Sequence, residues 1–344
     1  DNQITIQRDV NGVPIAIVSP EGLTANLTID VNNELTEISY ADNTAYYFEY
    51  TSGLLTAKDD PNGNRFEHHY DATGRLTLDS DEEGGTWQHT LTTLGSGDIQ
   101  TEVLSAEGNR TTYLDHVDLN GQYKSTITDA SGAQTLFVKT ADELSIAKSL
   151  PCGIDLTFNY DVDPEYKFKF VRQMTETTPG ALERVTQNNI VYTDTNTDEI
   201  PDRIAKSVSI NGKATSTVQD VLQAQHTIIT PENRVVSIDY DPATLLTTNV
   251  SIPGLHDTTY GYDAQGRPIS IIVGTRDTAF SYNDEGFIES ITDPMEHTTT
   301  YSYDPVGRIT GINRPDGSSL GFTYDANGNM TMLTNPSTID HPFG

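Results

Sequence analysis

The chain repeats one phrase, and this repeat limits the possible folds more than any other feature. Tyr301-Ser-Tyr303-Asp304-Pro-Val-Gly307-Arg308-Ile309-Thr310 returns as Phe322-Thr-Tyr324-Asp325-Ala-Asn-Gly328-Asn329-Met330-Thr331, its second aromatic twenty-one residues further on. The phrase also reads Phe280-Ser-Tyr282-Asn283-Asp-Glu-Gly286, Tyr260-Gly-Tyr262-Asp263-Ala-Gln-Gly266-Arg267 and, far upstream, Tyr70-Asp71-Ala-Thr-Gly74-Arg75-Leu76-Thr77. A fixed internal period of this size implies an array of like units that pack only on their neighbours.

Each phrase reads as a tight β-hairpin. Aromatic residues alternating with small polar ones lie on one face of a strand. The Asp accepts a hydrogen bond from its own turn, two unconstrained residues follow, and Gly supplies the positive φ that closes a type I turn with a bulge. Gly74, Gly266, Gly307 and Gly328 are expected to take that conformation. Arg75, Arg267 and Arg308 then open the return strand, where each is expected roughly opposite the tyrosine of its own hairpin, within cation and ring contact.

With the tyrosine as register mark, the N-terminal part falls into step at Arg8, Ile29, Tyr50 and Tyr70. A proline stands nine residues before many marks: Pro20, Pro61, Pro151, Pro231, Pro253, Pro294 and Pro315. It marks the opposite turn of the meander, with proline at the second turn position. Repeats are weaker at 80–150, with marks expected at 93, 117 and 138, and at 193–230, where Val208 to Ile229 reads as one degenerate hairpin. Tyr160-Asp161 restores the phrase. The expected architecture is all-β, an array of about fourteen antiparallel hairpins over 1–344 that spirals into a sheet-like shell or arc.

Composition agrees. Only 35% of residues are hydrophobic, with 26 Gly and 16 Pro, which suits short strands and turns better than helices. No stretch reaches the roughly 18 apolar residues of a membrane helix. The formal charge of -30, from 50 acidic and 20 basic residues, repels nucleic-acid backbones and anionic membrane surfaces. The single Cys152 excludes an internal disulfide scaffold.

Tyr-Asp-x-x-Gly-Arg-Ile/Leu-Thr at this period resembles the YD repeat of the RHS family, which includes RHS toxin cores, toxin-complex B and C components and teneurins. The resemblance implies hairpins joined edge to edge in a hollow shell that encloses a toxic segment or serves adhesion. It implies the rest of the parent polypeptide as partner, cargo or flanking domain, and a secreted or cell-surface location. The self-cleaving Asp-containing motif that usually closes an RHS core has no counterpart after Thr331, so neither cargo nor cleavage activity carries over. An alternative is a carbohydrate- or protein-binding adhesion module, with exposed tyrosines facing glycans or a surface protein.

No catalytic set stands out, and the chain is expected not to be an enzyme. Gly317-Ser318-Ser319-Leu320-Gly321 fits the hydrolase elbow G-x-S-x-G, but that elbow needs a helix after the serine, and here a strand is due. His68 and His69 point to opposite faces of a strand, and His68 occupies an apolar ladder slot. The one metal candidate is Asp194, Asn196, Asp198 and Asp202, oxygen donors spaced as in calcium loops, although Thr197 stands where such loops carry glycine. A solvated acidic turn is the alternative reading. At the ends, Pro336 takes the turn-proline slot and the next mark falls due at position 345, so both ends are expected to cut through a hairpin. That gives an open arc with two exposed sheet edges, prone to edge-to-edge association.

Overall fold

The computed structural model describes residues 3–335 and 340–342. Within them the chain forms 31 strands, from Thr5–Arg8 to Asp340–Pro342, and no helix. Every described pairing is antiparallel and joins strands that follow one another in the chain, as Thr24–Ile29 with Leu35–Ser39 and Thr298–Tyr303 with Ile309–Asn313. The turn expected at Pro336 lies outside the described residues. The array packs as two compact units, one of residues 1–86 with 260–344, the other of 87–259.

In the first unit most turns share one chemistry, the exceptions being the two-residue turns at Ser52-Gly53 and Gly274-Thr275. The amide of Gly74 donates to the carbonyl of Asp71 at 3.0 Å and the amide of Asp71 to that of Arg75 at 2.8 Å; Asp304 with Gly307 and Arg308 repeats the pair at 3.0 and 3.0 Å. Gly74, Gly266, Gly307 and Gly328 have φ of 80, 81, 88 and 86°. The proline turns share this geometry. In Asp60-Pro61-Asn62-Gly63 the amide of Gly63 reaches Asp60 at 2.9 Å, with proline second in the turn as its fixed φ requires.

A β-bulge accompanies each clear mark. Ser302 pairs with Gly311 but Tyr303 pairs with Ile309, so Thr310 is the extra residue. The shift recurs at Ile29, Tyr50, Tyr70, Tyr282 and Tyr324. The bulge explains the threonine that ends the phrase. The Thr77 hydroxyl donates to the carbonyl of His69 at 3.1 Å, and Thr36 does the same to Thr28 at 3.2 Å, occupying acceptors at the point where the ladder is interrupted.

The bulge also corrects the expected place of the arginine. Tyr303 lies opposite Ile309, and Arg308 lies opposite Asp304 in the turn. The guanidinium therefore crosses to the next hairpin, with Arg267 4.5 Å over the Tyr282 ring and Arg308 5.2 Å over the Tyr324 ring. Each contact contributes about 0.5–1 kcal/mol where half exposed.

The mark tyrosines also bond backwards. Tyr70 donates to the carbonyl of Leu55 at 2.7 Å, Tyr303 to Ile288 at 2.9 Å and Tyr324 to Ile309 at 2.8 Å. In each case the acceptor is the residue paired with the preceding mark, Tyr50, Tyr282 or Tyr303. Every hydroxyl thus fastens one hairpin to the one before, at about 1 kcal/mol a bond. These links matter because Ala16, Ala45, Ala57 and Tyr240 are the only hydrophobic residues buried among those described. The ladder, and not a central core, holds the chain together.

The second unit departs from the expected register in three places. The mark after Val117 falls on Lys139 and not Val138, since Thr140 takes the first turn position and Glu143 the positive φ of 59°. Asp161 stays in the strand Asp155–Val162, and Asp163 forms the turn instead, accepting from the amides of Glu165 and Tyr166 at 3.0 and 2.7 Å. The span from Val208 to Ile229 holds two turns in place of one. Asn211-Gly212, with φ of 48 and 82°, makes a two-residue hairpin between Arg203–Ile210 and Lys213–Asp220, and a second turn follows at 221–224. In each place a local turn former outcompetes the periodic position.

Gly307 tests the turn argument. A Cβ there would meet the Phe287 ring at 2.4 Å, whereas at Gly328 it would find only the flexible Arg308 side chain at 3.8 Å. Gly328→Ala should therefore cost about 1–2 kcal/mol from its backbone alone. Gly307→Ala should cost about 1–3 kcal/mol more, through displacement of the Phe287 ring from its 4.8 Å stack on Tyr303. Urea unfolding of the two variants measures the difference, and equal losses would exclude the ring contact as a determinant.

Candidate functional site

The residues singled out in the sequence assemble into two sets. The first is the turn cassette. Asp71 Oδ1 accepts from the amides of Thr73 and Arg75 at 2.8 and 3.1 Å, Asp263 Oδ1 from Gln265 and Arg267 at 2.9 Å each, and Asp304 Oδ1 from Val306 and Arg308 at 3.1 and 2.9 Å. The second oxygen then holds the arginine, Arg267 Nε at 2.7 Å from Asp263 and Arg308 Nε at 2.5 Å from Asp304. Asp325 has Asn329 in the arginine position and binds its side-chain amide at 3.0 Å. Tyr70, Tyr262, Tyr303 and Tyr324 are all half-buried, so the ring platform offered to glycans by exposed tyrosines is not present at these marks.

These hydrogen bonds set the acidity of the turns. Asp71 lies below the ordinary carboxylate value of 3.8, through the Thr73 hydroxyl and then the Arg75 amide. Asp9 and Asp30 are lowered chiefly by the amides of Val13 and Glu34. At Asp263 partial burial works upward, but the Arg267 amide and guanidinium outweigh it. In the second unit the fully buried Asp163 accepts from the Tyr192 hydroxyl at 2.7 Å, and burial followed by this bond pushes Tyr192 up to about 12.

The sequence did not foretell how turns of the first unit meet. Arg308, already bound to Asp304, donates through Nη2 to Asp42 Oδ2 at 3.1 Å, across 266 residues of sequence. One repeat further, Asn327 donates to Asp60 Oδ2 at 2.6 Å, while Asn62 donates its amide to Asn327 at 3.3 Å and its side chain to Asp325 at 3.1 Å. One repeat earlier, a Cβ on Gly286 would strike Glu21 at 2.4 Å. Three successive mark turns thus meet three successive opposite turns in order. Pro305 and Val306 reach over Ile4, Ile17 and Tyr40 beside the Arg308 contact, around an apolar hollow of about 290 Å³. Strand pairing stays between chain neighbours, and the early and late hairpins also touch through their turns.

The acidic loop is closed by its own amides. Asp202, buried, accepts from the Thr195 hydroxyl at 2.7 Å and from the amides of Thr195 and Asn196 at 2.9 and 3.1 Å. Asp194 accepts from the amides of Thr197 and Glu199 at 2.6 and 2.8 Å, and Asp198 from Ile200 at 2.9 Å and the Asn196 side chain at 3.1 Å. Among the described residues no group of three or more His, Cys, Asp or Glu is placed to hold a metal ion. His68 bonds Asp79 at 2.6 Å across the strand pair, a partner that accounts for a histidine in an apolar slot. A strand, Ser319–Tyr324, follows Gly317-Ser318, so the elbow pattern has no elbow geometry.

Residues 1–344 match the family model described as Teneurin YD-shell. Human Teneurin-4 is 29% identical over 108 residues, 31% of this chain and 4% of Teneurin-4, and the mouse protein matches equally. The crystal structure of TcdB2-TccC3-Cdc42 aligns with a TM-score of 0.51 over 96% of this chain and 21% of that one, at 14% identity, a likeness of fold. The chain therefore spans a small part of the relatives it matches.

Two outcomes follow from the turns and the loop. Turn aspartates with depressed folded pKa values contribute stability that is complete above the ordinary value of 3.8 and is lost as pH falls through the lower folded values. The urea midpoint at fixed salt should thus hold between about pH 7 and 5 and drop below about pH 4; a midpoint still rising at pH 3 would mean that relief of charge repulsion dominates. Calcium binding at Asp194, Asn196, Asp198 and Asp202 stays a proposal from their oxygen spacing, with each Asp194 and Asp198 oxygen already accepting one hydrogen bond. A calcium-dependent rise in Tm, reversed by chelator, is its expected outcome, and an unchanged Tm disposes of it.

Proposed function

The chain belongs to the Teneurin YD-shell family, and we propose that it forms a wall segment which encloses or presents another part of a larger secreted or surface protein. It is a structural shell segment. The observation that carries the enclosing role is the ordered turn-on-turn contact in the first unit, which brings residues 263 to 267 positions apart together without pairing their strands. A wall made this way needs no core. Its hairpins support one another through tyrosine hydroxyls, arginine and ring contacts, and turn amides.

The adhesion reading is supported less well. The mark tyrosines direct their hydroxyls to backbone carbonyls and carry arginines over two of their rings. The exposed tyrosines, Tyr47 at 50% and Tyr166 at 62%, are single side chains and form no continued stripe. The hydrolase-like pattern at Gly317-Ser318 runs into the strand Ser319–Tyr324 and gives a catalytic reading no support.

Limited proteolysis of the parent protein tests the proposal. A segment lying inside the wall should survive protease while the wall is intact and be cut once Arg308→Gln and Asn327→Asp weaken the turn contacts. If flanking segments are cut as fast with the wall native as with it unfolded in urea, enclosure is excluded.

A further inference from the structure

We infer that the row of facing turns in the first unit is a latch, the place where this wall opens without loss of strand pairing. Three observations lead there. First, the long-range hydrogen bonds at the row all involve side chains: Arg308 with Asp42, Asn327 with Asp60, and Asn62 with Asp325 and Asn327. Second, each participating turn is closed independently. Asp60 holds the amides of Asn62 and Asn64 at 2.9 Å each, and Asp325 holds that of Asn329 at 2.8 Å, bonds that keep each hairpin formed when the rows part, while the turn tips, no longer covered by the facing row, fray to water more often. Third, the apolar hollow of about 290 Å³ beside Arg308 leaves the contact loosely packed. The described strand pairings all join chain neighbours, so the row can part without breaking any of them.

The contacts also specify register. Arg308 must meet a carboxylate, Asp42, and Asn327 must meet both the Asp60 carboxylate and the Asn62 amide. A slide by one repeat one way brings Arg308 to Asn62 and costs it the charge pair, and a slide the other way brings Arg308 to Glu21 but Asn327 to Tyr40 and costs Asn327 its carboxylate. The latch therefore recloses in one position. Its use as a door rests on the shell reading, but its opening is a property of this chain alone.

Hydrogen exchange read by mass spectrometry on the full chain tests it. Arg308→Gln and, separately, Asn327→Asp, which sets two carboxylates face to face at Asp60, should speed exchange at 40–44 and 60–64 roughly tenfold, although these lie far away in sequence. Exchange in the strands of 99–229 should not change. Acceleration across the whole chain, or none at 40–44 and 60–64, overturns the latch. As a second measurement, Asn62→Cys with Asn327→Cys in a Cys152→Ser background should cross-link with a short thiol reagent and slow exchange at the row. Asn62→Cys with Glu285→Cys should not cross-link, and equal yields would mean that the row has no fixed register. Failure of the exchange result leaves the proteolysis result standing, and the converse, so the latch and the shell fall separately.

Discussion

The closed Asp-x-x-Gly turn with its bulge is the constraint on which the rest of the structure depends. In a strand the side chains alternate, so a slip of one residue sends every tyrosine to the opposite face. The carboxylate of Asp304 fixes the amides two and four residues on, Gly307 supplies the positive φ, and Thr310 absorbs the extra residue. Tyr303 and Tyr324 then emerge on the same side, each within reach of the carbonyl opposite the mark before it. The turn is local, but its effect is to align side chains along the whole ladder.

The same turn explains how so acidic a chain stays folded. Aspartates at first turn positions are solvated by amides of their own loop, and Arg308 places one guanidinium between Asp304 and Asp42 while covering the Tyr324 ring. Exposed ion pairs contribute little, about 0–1 kcal/mol each. Those around Arg308 are better sheltered, with 25% of its side chain exposed and 13 to 14% of its two partners'. The acidity is therefore in large part a requirement of turn geometry, as well as a property of the surface.

What could be read from the sequence was whatever repeats locally. Turn residues, the proline row and the strand phase at Tyr70, Tyr262, Tyr303 and Tyr324 all follow from spacing. The partner of each arginine did not, because the bulge at Thr310 moves Arg308 opposite Asp304 and directs it to the following tyrosine. Asp163 displaced Asp161 as turn former because the stronger local turn overrode the period, and the two residues differ by too little in type for spacing to decide. The tyrosine hydroxyl bonds carried a faint signal in the preference for Tyr over Phe at the mark beside Phe280 and Phe322 two residues earlier. Asn327 and Asp60 carried none, since residues 267 apart share no pattern on a single chain.

That last gap reflects how the two kinds of contact are encoded. Hairpin contacts close short loops, so their entropic cost is small and each repeat specifies its own partner. The meeting of early and late turns closes a loop of more than 260 residues, but the hairpins between are each ordered by their own local pairing. Little chain entropy then remains to be lost, so a few hydrogen bonds suffice where a flexible chain would need a core. Those bonds need only discriminate between registers. Arg308 against Asp42 and Asn327 against Asp60 do so jointly, because a shift of one repeat in either direction takes a carboxylate from one of the two, and specificity rests on that mismatch more than on binding strength.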